Sequence, residues 1–393
     1  MAHRIVGLLC LGHLVTDINQ GALPALLPFL ISEYHLSYTA AAFIIFCSNI
    51  ASTVVQPLFG HLADRTLRPW LMPAGIVLAG TGIAAVGIVS DYVWVLAAVM
   101  ASGIGVAAFH PQGAQFVNRV AGEKKATAMS IFGVGGTLGF AIGPIIITAA
   151  LLHWGLKGSF VLIFPAALTA VVLAWQLSFE SGGRSRLGSG HITLSAEKSL
   201  EAWGAFVRLT AAVVARAILF YGLNTFVPLY WIQVLHLSKT SGAIALTVFA
   251  LSSVIGNLFG GRLADRIGHT RIAVGGFCAL IPLIPALVAV NDQIAALAVL
   301  ILIGIALSTT YSPLIILGQK YLPNRIGLSS GVTLGVAVTI GGVATPLLGR
   351  VADHYGLWVA LAMMSLGPIL GTGLALSLPH PERSNISSPS STI

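Results

Sequence analysis

Asp17 is an acidic residue that lies inside the apolar run of residues 5–31, where its carboxylate has few polar neighbours in the sequence. A charge at the middle of a membrane-spanning helix costs about 2.5–3.5 kcal/mol on insertion scales, so such groups usually face an interior cavity. His13 precedes Asp17 by four residues and Gln20 follows it by three, which places all three on one helical face. This polar stripe predicts a proton-binding or substrate-binding carboxylate tuned by His13. The alternative is a structural pair that locks this helix to a neighbour.

Arg216 is the one basic residue deep inside an apolar run. A guanidinium presents a rigid fork of donors that suits a carboxylate or a phosphonate. Arg216 therefore indicates an anionic group on a ligand, and an internal salt bridge to Asp17 is the alternative. Asn224, two helical turns further on, is expected to offer an amide to the same cavity.

His110 precedes Pro111 in a third apolar run. Because a proline leaves a carbonyl group without its helical partner, His110 can serve the local backbone. It can also relay protons, since histidine titrates near neutral pH without perturbation. Gln112 adds an uncharged hydrogen-bonding group to the same stretch.

The composition indicates an integral membrane protein. Hydrophobic residues make up 56% of the chain and charged residues 8%, with a mean hydropathy of +0.92, whereas soluble domains carry about 25% charged residues. The apolar runs are long enough to cross a bilayer. They predict an all-α fold with twelve transmembrane helices, at residues 5–31, 40–63, 70–90, 92–117, 126–152, 158–178, 203–232, 240–264, 272–290, 293–319, 327–349 and 355–378.

The chain repeats itself at half its length. The sequence Gly-His-Leu-Ala-Asp-Arg at residues 60–65 returns as Gly-Arg-Leu-Ala-Asp-Arg at residues 261–266, and His-Leu-Ser at residues 35–37 returns at residues 236–238. The Phe-His-Pro of residues 109–111 returns as Tyr-Ser-Pro at residues 311–313. An internal repeat of this length predicts two pseudo-symmetric bundles of six helices each.

Basic residues predict the orientation, because lysine and arginine collect on the cytoplasmic side. Sixteen of the twenty fall on one side of the predicted membrane, together with both termini. We therefore expect residues 1–178 to form an N-terminal bundle and residues 203–379 a C-terminal bundle. Residues 179–202 are predicted to be a cytoplasmic linker and residues 380–393 a disordered cytoplasmic tail, in a protein of the bacterial inner membrane.

Twelve spans in two repeated halves, with Leu-Ala-Asp-Arg after the second and eighth, resemble the major facilitator superfamily. The chain also resembles the fosmidomycin-resistance group of exporters in Gly-His-Leu-x-x-Asp at residues 12–17, in Phe-His-Pro, in residues 130–136 and in residues 322–327. That group usually has Glu where Gln112 stands. The resemblance implies that the charged loops latch the two halves in the outward-open state, through Asp64, Arg65, Arg68, Asp265, Arg266 and Arg271. Simple anchoring of helix ends by positive charges is the alternative.

These observations predict a secondary transporter that exports a small drug-like or anionic compound in exchange for protons, by alternating access. Uptake of an organic anion with protons is the alternative, and a non-transporting sensor or scaffold is the rival from another class. No phosphate-binding loop or His-Glu-x-x-His sequence is present, and the Gly-x-Ser-x-Gly sequence at residues 327–331 lies in an apolar run and not at a strand-to-helix elbow. We therefore expect no enzyme activity and no cofactor or metal. We expect a monomer that binds a substrate and protons within the lipid bilayer and binds no nucleic acid.

Overall fold

A computed structural model of the chain describes residues 2–65, 68–121, 125–181, 201–325, 328–329, 332–333 and 337–379, and its regular structure is entirely helical. The N-terminal half consists of α1 (Ala2–Tyr34), α2 (Tyr38–Arg65), α3 (Leu71–Ala85), α4 (Tyr92–Val120), α5 (Lys125–Trp154), a 3-10 helix (Gly155–Leu162) and α6 (Ile163–Ser181). The C-terminal half consists of α7 (Trp203–Gln233), α8 (Lys239–Ile267), α9 (His269–Ala289), α10 (Gln293–Thr309), α11 (Tyr311–Tyr321), a 3-10 helix (Pro323–Arg325), α12 (Ala337–Tyr355), α13 (Leu357–Met363) and α14 (Leu366–Leu376). Most of the predicted linker (residues 182–200) and the whole predicted tail lie outside the described residues.

The helices agree with the predicted membrane fold. In the described part of the chain, nine helical stretches are long and apolar enough to cross a membrane. One of these stretches, Ala128–Leu177, contains both α5 and α6, and the shorter apolar helix α3 and the helix α12 stand outside the nine. Counting these helices separately gives the twelve spans that the sequence predicts, which confirms the fold class.

Two predicted spans are each built from two helices. The tenth is divided at Thr310 between α10 and α11, and the last is divided at residues 364–365 between α13 and α14. In both cases a proline, Pro313 or Pro368, is the third residue of the second helix. A proline is tolerated in the first turn of a helix because its missing N–H has no intrahelical partner there. The chain therefore ends one helix and starts another just before each proline.

The sequence repeat is visible in the backbone. His35 and His236, which occupy equivalent positions after α1 and α7, have positive φ angles of 51° and 53°. Each is followed by a serine that caps the next helix, and the Oγ of Ser37 accepts from the Ala40 N–H at 3.1 Å. Ser238 Oγ accepts from the Ser241 N–H, also at 3.1 Å. The same residues thus end one helix and begin the next in both halves.

Helices α1 and α5 pack with almost no space between their backbones. A Cβ atom on Gly139 would overlap the Leu14 carbonyl oxygen, and one on Gly143 would lie 2.5 Å from the Ile18 carbonyl oxygen. Gly133, six residues before Gly139, has nothing within 4 Å of its Cβ position. Gly139 and Gly143 are therefore the α5 residues that allow the close approach of α1, whereas Gly133 takes no part in it.

The two halves meet at one face of the membrane-spanning region. We call the face at which α1 begins and α14 ends the terminal face, and the other the opposite face. Between the halves, α2 packs against α12 and α5 against α8. At the opposite face, Lys239 Nζ lies 4.1 Å from the ring centre of Phe29. Near the middle of the helices, Thr247 Oγ1 donates to the Ala141 carbonyl at 2.6 Å. The contacts between halves thus run from the opposite face to about mid-depth.

The contact between α1 and α5 gives a stability prediction. We expect Gly139→Ala to lower the free energy of unfolding by about 1–3 kcal/mol, because the added methyl group has to push the α1 backbone away. Gly133→Ala is the matched control, and its better helix propensity should leave stability unchanged or raise it. Thermal unfolding of the two variants in detergent measures the difference. Equal unfolding temperatures would show that the contact is not tight.

Candidate functional site

A cavity of about 600 Å³ lies between the two halves. Its walls come from His13 and Asp17 of α1, residues 130–140 of α5, residues 213–221 of α7 and residues 249–258 of α8, with further residues from α10 and α11. On α1, α5, α7 and α8 these residues lie between mid-depth and the terminal face. The contacts between the halves lie on the other side of the cavity. These contacts, which we call the seal, thus separate the cavity from the opposite face, and the cavity lies on the terminal-face side of the seal.

Asp17 is held by two histidines in the wall of this cavity. His110 Nε2 of α4 lies 2.9 Å from Asp17 Oδ1, and His13 Nε2 lies 3.3 Å from Oδ2. His13 Nδ1 lies 2.7 Å from the Phe132 carbonyl oxygen of α5. Three helices thus contribute to one cluster, which we call the His–Asp–His cluster. His110 bonds to a side chain of another helix, in contrast to the local-backbone alternative.

The cluster's geometry sets its proton content. A carbonyl oxygen can only accept a hydrogen bond, so His13 Nδ1 carries the proton that it donates to Phe132. In a neutral ring, His13 Nε2 would then point a lone pair at the Asp17 carboxylate. A hydrogen bond at that contact requires one more proton, on His13 or on Asp17. The described conformation therefore fits a cluster that has one proton more than a carboxylate with two neutral imidazoles.

Helix α5 completes the surroundings of the cluster. The Phe132 ring stacks on the His13 ring with centroids 4.1 Å apart. A Cβ atom on Gly136 would overlap His13 Nε2 and lie 2.7 Å from Asp17 Oδ2. Glycine at this position is thus what allows the α5 backbone to close over the cluster.

Arg216 lies on the cavity wall contributed by the C-terminal half. Its guanidinium carbon lies 4.6 Å from the ring centre of Tyr311 and 5.9 Å from that of Phe220. Its buried Nε has no hydrogen-bond partner, and within the described ranges it takes part in no ion pair. The salt bridge to Asp17, one of the two alternatives from the sequence, is not formed. Arg216 is thus a cation held against aromatic rings, without a counter-ion among the described residues.

Asn257 and Ser312, two polar residues of the C-terminal half, were missed by the sequence analysis. Ser312 Oγ donates to Asn257 Oδ1 at 2.7 Å, and Asn257 and Tyr311 both line the cavity. The repeat contained the signal, because Tyr311 and Ser312 occupy the positions equivalent to Phe109 and His110. A comparison of the two copies position by position therefore finds Ser312, but it gives no signal for Asn257.

Three predicted site residues lie away from the cavity. Asn224 Nδ2 donates to the Phe220 carbonyl of its own helix at 2.9 Å, which uses one of the two N–H groups of the amide locally. Gln112 is fully buried, and neither of its amide atoms has a hydrogen-bond partner. Gln20 is half-buried. None of the three is among the residues that line the cavity.

The predicted latch residues lie at the terminal face. The side chains of Asp64 and Arg65 lie outside the described part of the structure, and Arg68 is exposed. The Asp265 side chain is 73% exposed, and its Oδ1 lies 3.6 Å from His269 Nε2. Arg266 and Arg271 are exposed, and Arg271 donates to the Ile267 carbonyl at 3.4 Å. The described latch residues of the second copy thus contact only their own half.

Comparison with known families decides the class of the protein. The sequence model of the Major Facilitator Superfamily matches residues 9–333. The chain belongs to the major facilitator superfamily. Members of this superfamily are transporters, which confirms a multi-pass membrane transporter rather than an enzyme.

Individual relatives cover nearly the whole chain. The Bacillus subtilis (strain 168) MFS-type transporter YfnC is 30% identical over 94% of this chain and 91% of its own length. The fosmidomycin resistance protein of Escherichia coli (strain K12) is 27% identical over 95% of this chain and 92% of its own. These relatives are bacterial, which supports a place in a bacterial inner membrane.

Solved transporters share the fold. A bacterial homologue of the human lysosomal transporter Spinster, in an inward-facing and occupied conformation, superimposes with a TM-score of 0.82 over 95% of this chain and 96% of its own, at 14% identity. The nucleoside transporter NupG gives a TM-score of 0.76 over 95% of this chain and 99% of its own, also at 14% identity.

Proposed function

We propose that this transporter couples the movement of protons to the export of a small drug-like or anionic compound. The observation that carries the proposal is the Asp17 carboxylate between His13 and His110 in the cavity wall. An ionisable group at membrane depth that is reached from a cavity is the usual site of a transported proton.

The cluster suggests how exchange works. The additional proton at the contact between His13 and Asp17 serves as the hydrogen-bond donor to the carboxylate. When that proton leaves, a substrate N–H or O–H group can take its place at Asp17. Proton and substrate then compete for the same oxygen atoms, which is the requirement for an antiporter: each is carried when the other is absent.

Export is supported by similarity to the fosmidomycin resistance protein. The alternative function is uptake of an organic anion together with a proton, and the unpaired Arg216 favours it. A protonated cluster and an anion at Arg216 neutralise the cavity jointly, so the two ligands would bind together. The direction of substrate movement in a proton gradient separates the two functions.

The excess of basic residues at the terminal face supports a cytoplasmic position for that face and for both termini. The cavity would then open toward the cytoplasm in the described conformation. The charged loops after α2 and α8 would act as latches only when that side closes, which fits the exposure of Asp265. The monomeric state stays a prediction.

The proton site gives a transport prediction. In proteoliposomes with an imposed pH gradient, we expect Asp17→Asn to abolish accumulation of substrate while preserving exchange of internal for external substrate. The amide keeps the shape of the side chain and its hydrogen-bonding capacity but cannot bind a transferable proton. Fosmidomycin is the first probe, and Asp91→Asn, an exposed carboxylate at the opposite face, is the control. Accumulation by Asp17→Asn at the wild-type level would remove Asp17 from the coupling mechanism.

The orientation gives a labelling prediction. In a cysteine-free background, a membrane-impermeant maleimide added to intact cells should label Gln233→Cys at the opposite face and should not label Arg119→Cys at the terminal face. Both positions are exposed, so both should react after lysis. Labelling of Arg119→Cys alone in intact cells would invert the orientation.

A further inference from the structure

We propose that Asn257 and Ser312, together with Arg216, form a subsite for an oxyanion in the C-terminal half of the cavity. This inference rests on the proposed transport function and specifies which part of the substrate the C-terminal half binds. The three residues come from α7, α8 and α11.

Hydrogen bonding prepares Asn257 as a donor. Its Oδ1 is occupied by the Ser312 hydroxyl at 2.7 Å, which leaves the two N–H groups of Nδ2 for a ligand in the cavity. Arg216, which also lines the cavity, offers further N–H donors and a positive charge through its guanidinium. A wall that presents several donors and a positive charge recognises carboxylate or phosphonate oxygens.

The charges on the two walls of the cavity also favour an anion near Arg216. The Asp17 charge is matched by the two histidines of its cluster. Among the described residues, the Arg216 charge has no ion-pair partner and faces the aromatic rings of Tyr311 and Phe220. A partly buried guanidinium without a counter-ion is costly, so a bound anion lowers that cost. The N-terminal half thus binds the proton, at α1 and α4, and the C-terminal half binds the anionic group of the substrate, at α7, α8 and α11.

Isosteric probes test the subsite. We expect benzoate and phenylphosphonate to raise the unfolding temperature of the detergent-solubilised protein, and benzamide, the neutral isostere of benzoate, to have little effect. Asn257→Asp keeps the shape but replaces a donor with a negative charge, and it should weaken benzoate binding by roughly tenfold or more. Arg216→Gln should abolish that binding.

Thr137→Val is the matched control, because Thr137 also lines the cavity but its hydroxyl donates within its own helix, to the Gly133 carbonyl. It should bind benzoate as the wild type does. Equal effects of benzoate and benzamide, or unchanged benzoate binding in Asn257→Asp, would overturn the subsite. The assay uses no proton gradient, so its result is independent of whether Asp17 couples transport to protons.

A separate observation concerns the contact that closes the opposite face. Asp353, near the end of α12, accepts hydrogen bonds from the first two N–H groups of α2. Its Oδ1 lies 2.6 Å from Tyr38 N, and its Oδ2 lies 3.0 Å from Thr39 N and also accepts from the Thr39 hydroxyl. A Cβ atom on Gly349 would lie 2.7 Å from the Tyr38 carbonyl oxygen. The carboxylate of one half thus caps a helix of the other.

The Asp353 carboxylate completes the N-terminal capping of α2. The first N–H groups of a helix have no intrahelical partner, and the α2 serine cap, Ser37, satisfies only Ala40 and, through its carbonyl, Ala41. Asp353 satisfies the remaining two. In α8, which has the equivalent serine cap, no side chain of the described residues accepts from the N–H groups of Lys239 or Thr240.

The sequence around Asp353 repeats a pattern from the terminal face. Gly-Arg-Val-Ala-Asp at residues 349–353 matches the first five residues of the two predicted latches, at residues 60–64 and 261–265. Asp353 at the closed face bonds to a helix of the other half, whereas the ion pair of Asp265 at the open face is with His269 of its own half. We infer that residues 349–353 are a third latch, which holds the opposite face closed and must release α2 before that face opens.

Spin-label distances test the third latch. With labels at Ser90→Cys and Gln233→Cys, two exposed positions on different halves at the opposite face, we expect Asp353→Ala to increase the population with a long distance roughly tenfold. Asp353→Asn, whose amide oxygen can still cap, should fall between Asp353→Ala and the wild type.

Asp292→Ala is the control, because Asp292 at the same face caps only its own helix, through the Ala295 N–H at 2.9 Å. It should leave the distances unchanged. An unchanged distribution in Asp353→Ala, or an equal change in Asp292→Ala, would show that the contact does not hold the face closed.

Discussion

A carboxylate within a membrane protein has to be matched by protons or by fixed donors, and much of the N-terminal half follows from how Asp17 meets this requirement. His13 comes from the same helix, but His110 reaches Asp17 only because α4 lies beside α1. The Phe132 carbonyl orients His13 only because α5 lies equally close. The small residues of α5 make that approach possible, since a side chain at Gly136 would occupy the space of the His13 ring. Helix packing and site chemistry are therefore a single constraint in this half.

The C-terminal half has the same helices and a different chemistry. Where the N-terminal half has Phe109 and His110, the C-terminal half has Tyr311 and Ser312. The first pair supports a titratable cluster, and the second supports a cation and an amide that do not titrate near neutral pH. Duplication of one scaffold thus provides two walls of one cavity that can be specialised independently.

The sequence predicted the features that depend on local pattern. Apolar run length gave the spans, the repeat gave the two halves, and helical spacing placed His13 beside Asp17. Features that depend on three-dimensional contact were left open or were not anticipated. The spacing of Arg216 and Asp17 left a salt bridge open, and the structure places aromatic rings around Arg216 instead. Asn224 is polar and well placed along α7, yet its amide bonds to its own backbone. The partners of Asp353 lie more than 300 residues away in the chain, so no local pattern reveals them.

The hydrogen bond from Thr247 to the Ala141 carbonyl lies near mid-depth, where the seal between the halves ends. A contact at that depth can serve as the point about which one half tilts relative to the other. From Ala141, α5 extends about 20 Å to its end at Trp154. A similar length of the helix runs in the other direction, to the terminal face. Tilting one half about this point by a small angle separates the helix ends at one face by several times the displacement at mid-depth, and brings the ends at the other face together. The protein therefore needs no large rearrangement at its ligand sites to exchange one opening for the other.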